Sequence, residues 1–436
     1  MKYFLKIIYY LDINTMFIIN EKNLHAQKFT IGSLINNIFY CIKLFRIKKS
    51  LVHLAIFIYF VLINIIKIIY LPIIIYFYFS KYRFCQVNFT QIGIINLHLS
   101  YMAKKHFIDD KIPIVFIPKG TDFDFLKDIF KNIKIIDNRL LYILSIPLKN
   151  SKLISFFSYR IDVLLNDKLE NALTDRSCVI YNQFNLLKNN KQFDFNDDYE
   201  AEMENLLINL NLNFDLSKTF IIHIREIHPK LNNRRSVNLK NYVKSINYLI
   251  QKNYNVIRLI DDHSKKLIIS NNYYELNVSD KLNRKLQYYL ISKSMGLICA
   301  ETGPHSIATI LSTPSLETNL NSVHTQSVHK KGLYTLRKVK KNGQFLKFQE
   351  LTDMNFYKGL CKTNSTLKEK GLELVENNEE EIFDAIKEFE KNLNTNDFQP
   401  STEQRKFKSL LPDYHELKFF KSNISHSFLK RNRELF

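Results

Sequence analysis

FIIHIRE (residues 220 to 226) and MGLICAETGPHSIATIL (295 to 311) are the two stretches that decide how this chain folds. Each is an apolar run that ends abruptly in polar groups. The first ends in His223, Arg225 and Glu226, the second in Glu301, Thr302, Gly303 and Ser306. Apolar runs of this length suit strands buried on both faces, as in a parallel sheet. The segments around them alternate: a helix over 239–252, a strand at NVIRLID (255–261), a helix over 281–293, a helix starting near Pro304 and a strand at PSLETN (314–319). Strands that alternate with helices predict βα units and a parallel sheet.

In such sheets ligands bind beyond the carboxyl ends of the strands, so the ends of these runs matter most. Residues two apart in a strand share a face, which points His223 and Arg225 the same way. Arg225 presents a planar, permanently charged fork suited to a diphosphate, with Arg234 and Arg235 following on the same loop. A surface loop held by salt bridges accounts for the tripeptide equally well. In the second stretch Pro304 suits a first helical turn, and Thr302, Gly303 and Ser306 surround amides that favour phosphate. Taken by itself this is an ordinary strand-to-helix junction. Asp261-Asp262 does not form a metal-binding DxD arrangement, so a metal-independent site is expected, with no cofactor.

The chain before residue 219 repeats the alternation. Candidate strands are QIGII (91–95), IPIVFIP (112–118), IKIID (133–137) and CVIYN (178–182). The predicted fold is α/β, with two Rossmann-like βα domains facing a cleft. Residues 85–195 form the first domain, 196–218 an Asn-, Asp- and Glu-rich linker with a helix near 197–210, and 219–345 the second domain. A C-terminal helical extension (346–436) is expected to pack back on the cleft. Within it Ile382, Phe383, Ile386 and Phe389 recur at helical spacing.

A length of 436 residues suits two domains. The net charge of +20 admits nucleic acid, an anionic membrane or phosphorylated substrates as partners. Lys and Arg are scattered and no nucleic-acid-binding signature appears, so nucleic acid is not expected. Five separated cysteines form no CxxC pair, disulfide framework or zinc site. Residues 51–80 are apolar, with Lys67 and Pro72 inside the run, and basic residues stand on both sides. Region 1–84 is therefore expected to associate with a membrane, as an interfacial hairpin bent near Pro72. A buried helix pair is the plainer alternative. The hairpin places the chain at the cytoplasmic face of a bacterial inner membrane, where nucleotide sugars are available.

From His223 to Asn319 the chain resembles a group of bacterial glycosyltransferases found with surface-polysaccharide genes. The resemblance is carried by HIR, by Arg235-Ser236-Val237-Asn238-Leu239-Lys240-Asn241-Tyr242, by Asn255-Val256-Ile257-Arg258-Leu259 and by Glu301-Thr302-Gly303-Pro304. QIGIINLHLSYMAK (91–104) is similar to that group's first βα turn, and the C-terminal SFLKRNRELF also matches. ETGPHSIATILSTP is similar to the DTGPMH turn of heptosyltransferases, and HIR to the HxRR element of fucosyltransferases. The resemblance implies a GT-B-like enzyme with an acceptor domain followed by a nucleotide-sugar domain. Its donor is a nucleotide sugar and its acceptor a surface-polysaccharide or lipid-linked glycan.

The residues so implied are Arg225, Arg235, Arg258, Thr302, Gly303, Pro304 and Ser306 for the donor diphosphate, with Asn238, Tyr242 and Gly93 also at the site. Glu301 and His223 are the catalytic candidates. Glu226, His228 and His305 are further candidates for the base that takes the acceptor proton. His98 and His263 read as solvated residues. The chain departs from the group at Ile94, Asn238 and Gln287. Loss of an acidic group there makes a catalytically inactive glycan- or nucleotide-binding scaffold the alternative. A nucleotide-modifying Rossmann enzyme is disfavoured because no GxGxxG fingerprint follows any strand.

Overall fold

The computed structural model describes residues 195–226, 235–321, 329–354, 364–411 and 421–436 with single exceptions. Earlier in the chain it describes 82–85, 112–117, 125–141, 162–165, 168–171 and isolated positions from 65 to 80. QIGII, CVIYN, Gly93, His228, Arg234 and most of the 51–80 run lie outside the described residues. Among the described residues no helix is long and apolar enough to cross a membrane.

The chain divides into two compact units. The first takes residues 1–86, 111–119 and 136–160, the second 87–110, 120–135 and 161–436. In the first, β1 (Tyr82–Cys85) and β2 (Ile112–Ile117) pair in parallel, Phe84 opposite Ile114. The second unit takes in a short helix, α1 (Leu126–Ile129), ahead of β3 (Lys134–Asp137), which straddles the boundary, and the antiparallel pair β4 (Asp162–Leu165) and β5 (Lys168–Asn171). The helix expected near 197–210 is α2 (Asp197–Asn209), which buries Tyr199, Met203 and Leu207.

The second unit is built on seven parallel strands. In chain order they and the intervening helices run β6 (Thr219–His223), α3 (Lys240–Gln251), β7 (Asn255–Ile260), β8 (Tyr273–Asn277), α4 (Lys281–Lys293), β9 (Gly296–Ala300), α5 (Pro304–Ile310), β10 (Ser315–Leu320) and β11 (Leu333–Leu336). Beyond β11 come β12 (Lys338–Lys341), β13 (Gln344–Phe345), α6 (Phe348–Asp353), α7 (Asn364–Glu369) and β14 (Leu372–Val375). The chain continues through α8 (Glu379–Asn394), α9 (Thr402–Leu410), β15 (Asn423–Ile424) and α10 (His426–Arg431). The spatial order is β15-β11-β10-β9-β6-β7-β8, every pairing parallel. From β6 the chain steps outward to β7 and β8, then returns to the other side of β6 for β9, β10 and β11. The order therefore reverses between β6 and β9, as in a doubly wound Rossmann sheet.

β8 was not expected. It is the edge strand, so only one of its flanks is paired, and its sequence YYELN lacks the apolar run that marks the central strands. The C-terminal extension, expected over the cleft, supplies β15 to the far edge of this sheet and α8 to one face. α8 lays Ile382, Ile386 and Phe389 against Tyr242, Ile246 and Leu249 of α3 and against Phe220, Ile298 and Leu316 of the strands. Gly296 makes this approach possible, because a Cβ there would stand 3.0 Å from Phe389 Cζ. β12 and β13 turn through Asn342 and Gly343, whose φ values of 51° and 81° make the left-handed two-residue hairpin.

The extension is tied down by one carboxylate. Glu388 on α8 accepts from Ser425 Oγ (2.7 Å), the amides of His426 and Ser427 (2.9 Å each) and Ser427 Oγ (3.1 Å), which holds the start of α10. Several donors aimed at one half-buried carboxylate stabilise more than ordinary surface bonds. Glu388→Ala is expected to lower the unfolding free energy by about 2–4 kcal/mol, measured by denaturant unfolding, since it orphans these donors together.

Candidate functional site

His223 closes β6 and lies beside Cys299 of β9, so FIIHIRE and MGLICAETGPHSIATIL place their strands next to each other. They meet at the place where the strand order reverses, and two loops leaving such a point in opposite directions open a crevice between them.

On the β6 side the chain continues through Ile224 to Glu226, and its loop returns at Val237. There Val237 N–H donates to the Arg225 carbonyl (2.9 Å) and Glu226 pairs with Val237. Arg225 is half-buried, and among the described residues its guanidinium has no hydrogen-bond or ion-pair partner. His223 is half-buried, and its Nδ1, closed off from solvent, has no partner among the described residues. Burial first, and the nearby Arg225 charge second, push this imidazole down to about 4, so it is neutral at physiological pH.

On the β9 side Glu301 and Thr302 are each 5% exposed, Pro304 is buried, and Gly303 is the more open residue of the turn. Gly303 has ordinary right-handed helical angles, so its value here is the absent side chain and not a special backbone conformation. Ser306 turns its hydroxyl onto the Gly303 carbonyl (2.6 Å), which braces the turn from within. His305 is fully buried on α5.

Several of the other candidates are engaged within the protein. Arg258 is 1% exposed and is enclosed by two carboxylates, Glu226 and Glu275 (2.6 Å), and by the Lys265 carbonyl (2.7 Å). It therefore ties β7 to the end of β6 and to β8, and its charge is already matched. Glu226, named as a possible base, is the structural partner in that triad. Tyr242 is fully buried, its hydroxyl 2.6 Å from Thr318 Oγ1, and it belongs to the core. Asn238 is exposed. Its amide donates to Glu376 (2.9 Å) and its side chain accepts from the Lys240 amide (3.1 Å) at the start of α3. Arg235 is half-buried at the returning end of the loop. Asp261 and Asp262 serve their own turn, accepting from the His263 amide (3.0 Å) and Asn277 Nδ2 (2.8 Å).

Sequence reading missed the residues that brace the loop from a distance. Arg337, 5% exposed, donates to the Ser236 carbonyl (2.6 Å). Asn319, next to last in β10, lies in the left-handed region (φ 58°), which asparagine enters more readily than most residues with a side chain. It is held there by Asn377, whose Oδ1 accepts from the Asn319 amide (3.0 Å) and whose amide donates to Asn319 Oδ1 (2.7 Å). No local spacing in the sequence announces partners this far apart.

No protein-family model matches the chain, and no curated protein matches it in sequence. Solved structures to which it is similar include ADP-heptose LPS heptosyltransferase II of E. coli (TM-score 0.40, 13% identity, covering 66% of this chain and 99% of that one). A glycosyl transferase family 9 protein of Veillonella parvula aligns with TM-score 0.35 and 9% identity over 55% of this chain and 82% of its own. The fucosyltransferase NodZ of Bradyrhizobium aligns with TM-score 0.32 and 9% identity over 55% and 96%. All three are glycosyltransferases, and they are what this chain is similar to.

Proposed function

We propose that the chain is a glycosyltransferase that moves a hexosyl or deoxyhexosyl unit from a nucleoside-diphosphate donor to a surface-polysaccharide or lipid-linked glycan acceptor. One observation carries the reading: Arg225, an arginine with no protein partner among the described residues, stands two residues past the end of β6 where the strand order reverses, beside β9, which leads into Glu301-Thr302-Gly303-Pro304. A half-buried guanidinium left unmatched at a strand-end crevice is suited to an anion, and a diphosphate matches its forked geometry.

In this reading Arg225 binds the diphosphate, assisted by Arg235 and by the backbone around Thr302 and Gly303. These groups also stabilise the negative charge that builds on the leaving nucleotide as the glycosidic bond breaks. Glu301 takes the acceptor hydroxyl proton, with neutral His223 beside it at the crevice. Arg258 and Ser306 act behind the ligand by holding the loops. Transfer runs without a metal. Residues 1–84 hold the enzyme on the cytoplasmic face of the inner membrane as an interfacial hairpin.

Calorimetry with UDP-, GDP-, ADP- and CMP-sugars is expected to find one nucleotide class that binds and turns over. Arg225→Ala is expected to weaken that binding by about tenfold or more, the scale of a lost charge-assisted pair. Unchanged affinity in that variant would show that the HIR assignment is wrong. Binding with no donor hydrolysis or transfer would favour the inactive scaffold.

A further inference from the structure

β12 and β14 pair antiparallel, Lys338 opposite Val375 and Lys341 opposite Leu372. Carried one step past the strand ends, that register sets Arg337 opposite Glu376 and Leu336 opposite Asn377. The bond from Asn377 Nδ2 to the Leu336 carbonyl (2.9 Å) holds the two chains together there. Opposite residues of an antiparallel pair share a face, so the root of this ribbon sets Arg337 and Glu376 side by side. Both reach the same short stretch of chain. Arg337 donates to the Ser236 carbonyl (2.6 Å), and Glu376 accepts from the Asn238 amide (2.9 Å). Between the two grips lies Val237, 0% exposed, whose own amide donates to the Arg225 carbonyl (2.9 Å).

Such a grip fixes a loop only if its own base is fixed. The root of the ribbon is tied to the carboxyl end of β10, because the Arg337 amide donates to the Leu320 carbonyl (3.1 Å) and Asn377 exchanges two bonds with Asn319. Arg337 is 5% exposed and Asn377 fully buried, so water competes little for these bonds. Each grip on the 236–238 leg also pairs a charged side chain with a backbone group, the stronger kind of hydrogen bond. Among the described residues, the Arg225 backbone is placed by β6, which ends two residues earlier, and by Val237, which pairs alongside Glu226. Whatever holds Val237 therefore holds Arg225.

We propose that Arg337 and Glu376 are positioning residues for Arg225: gripping the chain on both sides of Val237, they hold the Arg225 backbone where its guanidinium meets the diphosphate. The inference rests on the donor-site reading above. It gives the C-terminal extension a share in the crevice without any of its residues touching the ligand. Glu376 works there as an acceptor for one backbone N–H, so a neutral amide of the same shape serves in its place.

The test compares Glu376→Ala and Glu376→Gln in the full chain, each alone and combined with Arg225→Ala. Two quantities are measured: amide hydrogen exchange at Val237 in the free protein, and the affinity for ADP, GDP and UDP by calorimetry. Glu376→Ala is expected to speed exchange at Val237 by about tenfold or more while the central strands β6 and β9 stay protected. It is expected to weaken binding of the nucleotide that the parent binds by about tenfold, and Glu376→Gln to restore both to within about threefold of the parent. Because the effect passes through Arg225, Glu376→Ala in the Arg225→Ala background is expected to change affinity by no more than about twofold. Affinity losses that multiply in the double variant overturn the proposal. So does unchanged exchange at Val237, or exchange that rises equally throughout the second unit. If the parent binds none of the three nucleotides, the donor reading falls, and exchange at Val237 still decides whether Glu376 holds the Arg225 backbone. Should Glu376→Ala not fold, Arg337→Met, with Arg337→Lys as its rescue, loosens the leg from the other side of Val237 and is read in the same way.

Discussion

Lowering the pH from 7 to 4 is expected to remove about 9 kcal/mol of stability, comparable to the whole stability of a domain and so enough to unfold the second unit. The cause is histidines kept neutral by the fold. Burial pushes His223 down to about 4, and burial with the charges of Lys331, Lys330 and Lys421 does the same to His329. His329 accepts from the Lys331 amide at Nδ1 (3.2 Å), which requires that nitrogen to be unprotonated. Burial lowers His305 as well. In the unfolded chain each of these titrates near 6.5. Between about pH 6.5 and 4 the unfolded chain therefore binds more protons than the folded one. Each histidine then removes about 1.4 kcal/mol per pH unit as the pH falls, and its contribution is fully present above 6.5. Denaturant unfolding at half-unit pH steps measures the slope. A flat profile between pH 7 and 5 would sink the idea, and His329→Gln is expected to reduce the slope by one proton.

Arg258→Met is expected to destabilise the protein by about 3–5 kcal/mol, the usual result of removing one partner from a buried ionic cluster. Arg258 is matched by Glu226 and Glu275, each side chain less than 15% exposed, and Glu275 also accepts from Tyr273 Oη (2.8 Å) and the Leu267 amide (3.0 Å). Without the guanidinium, two carboxylates face each other in a poorly solvated space. Replacing all three residues together by apolar ones is expected to recover most of the loss, because no charge is then left buried alone. The pattern separates this arginine from Arg225: Arg258→Met should lower stability first, and Arg225→Ala should lower nucleotide affinity with little change in stability. A cost below about 1 kcal/mol for Arg258→Met would place the triad among ordinary surface pairs.

The central sheet was legible because burial on both faces writes an uninterrupted apolar run. β6, β7, β9 and β10 were all expected, within a residue or two of their ends. α4 was expected at its observed span, and its start is marked by Asp280, whose side chain accepts from the amides of Leu282 (2.8 Å) and Asn283 (3.0 Å). β8 and β15 were not legible, since an edge strand needs no such run and β15 has only two residues. The two strand-end motifs were legible as motifs at strand ends. That they flank the reversal of strand order was not, because spatial order is a property of pairing and not of any local pattern. Arg258 shows the same limit from the other side. An arginine on a strand looks the same in sequence whether it meets a ligand or a pair of glutamates brought from residues 226 and 275.

The packing of α8 on α3 also sets a schedule. α3 is complete at residue 251, whereas α8, which covers its apolar face, begins at residue 379. At a synthesis rate of about 5–20 residues per second, Ile246 and Leu249 leave the ribosome roughly 6–26 s before the helix that shields them. For that interval the nascent second unit carries an uncovered greasy stripe, and a chaperone that binds such stripes has its natural window there.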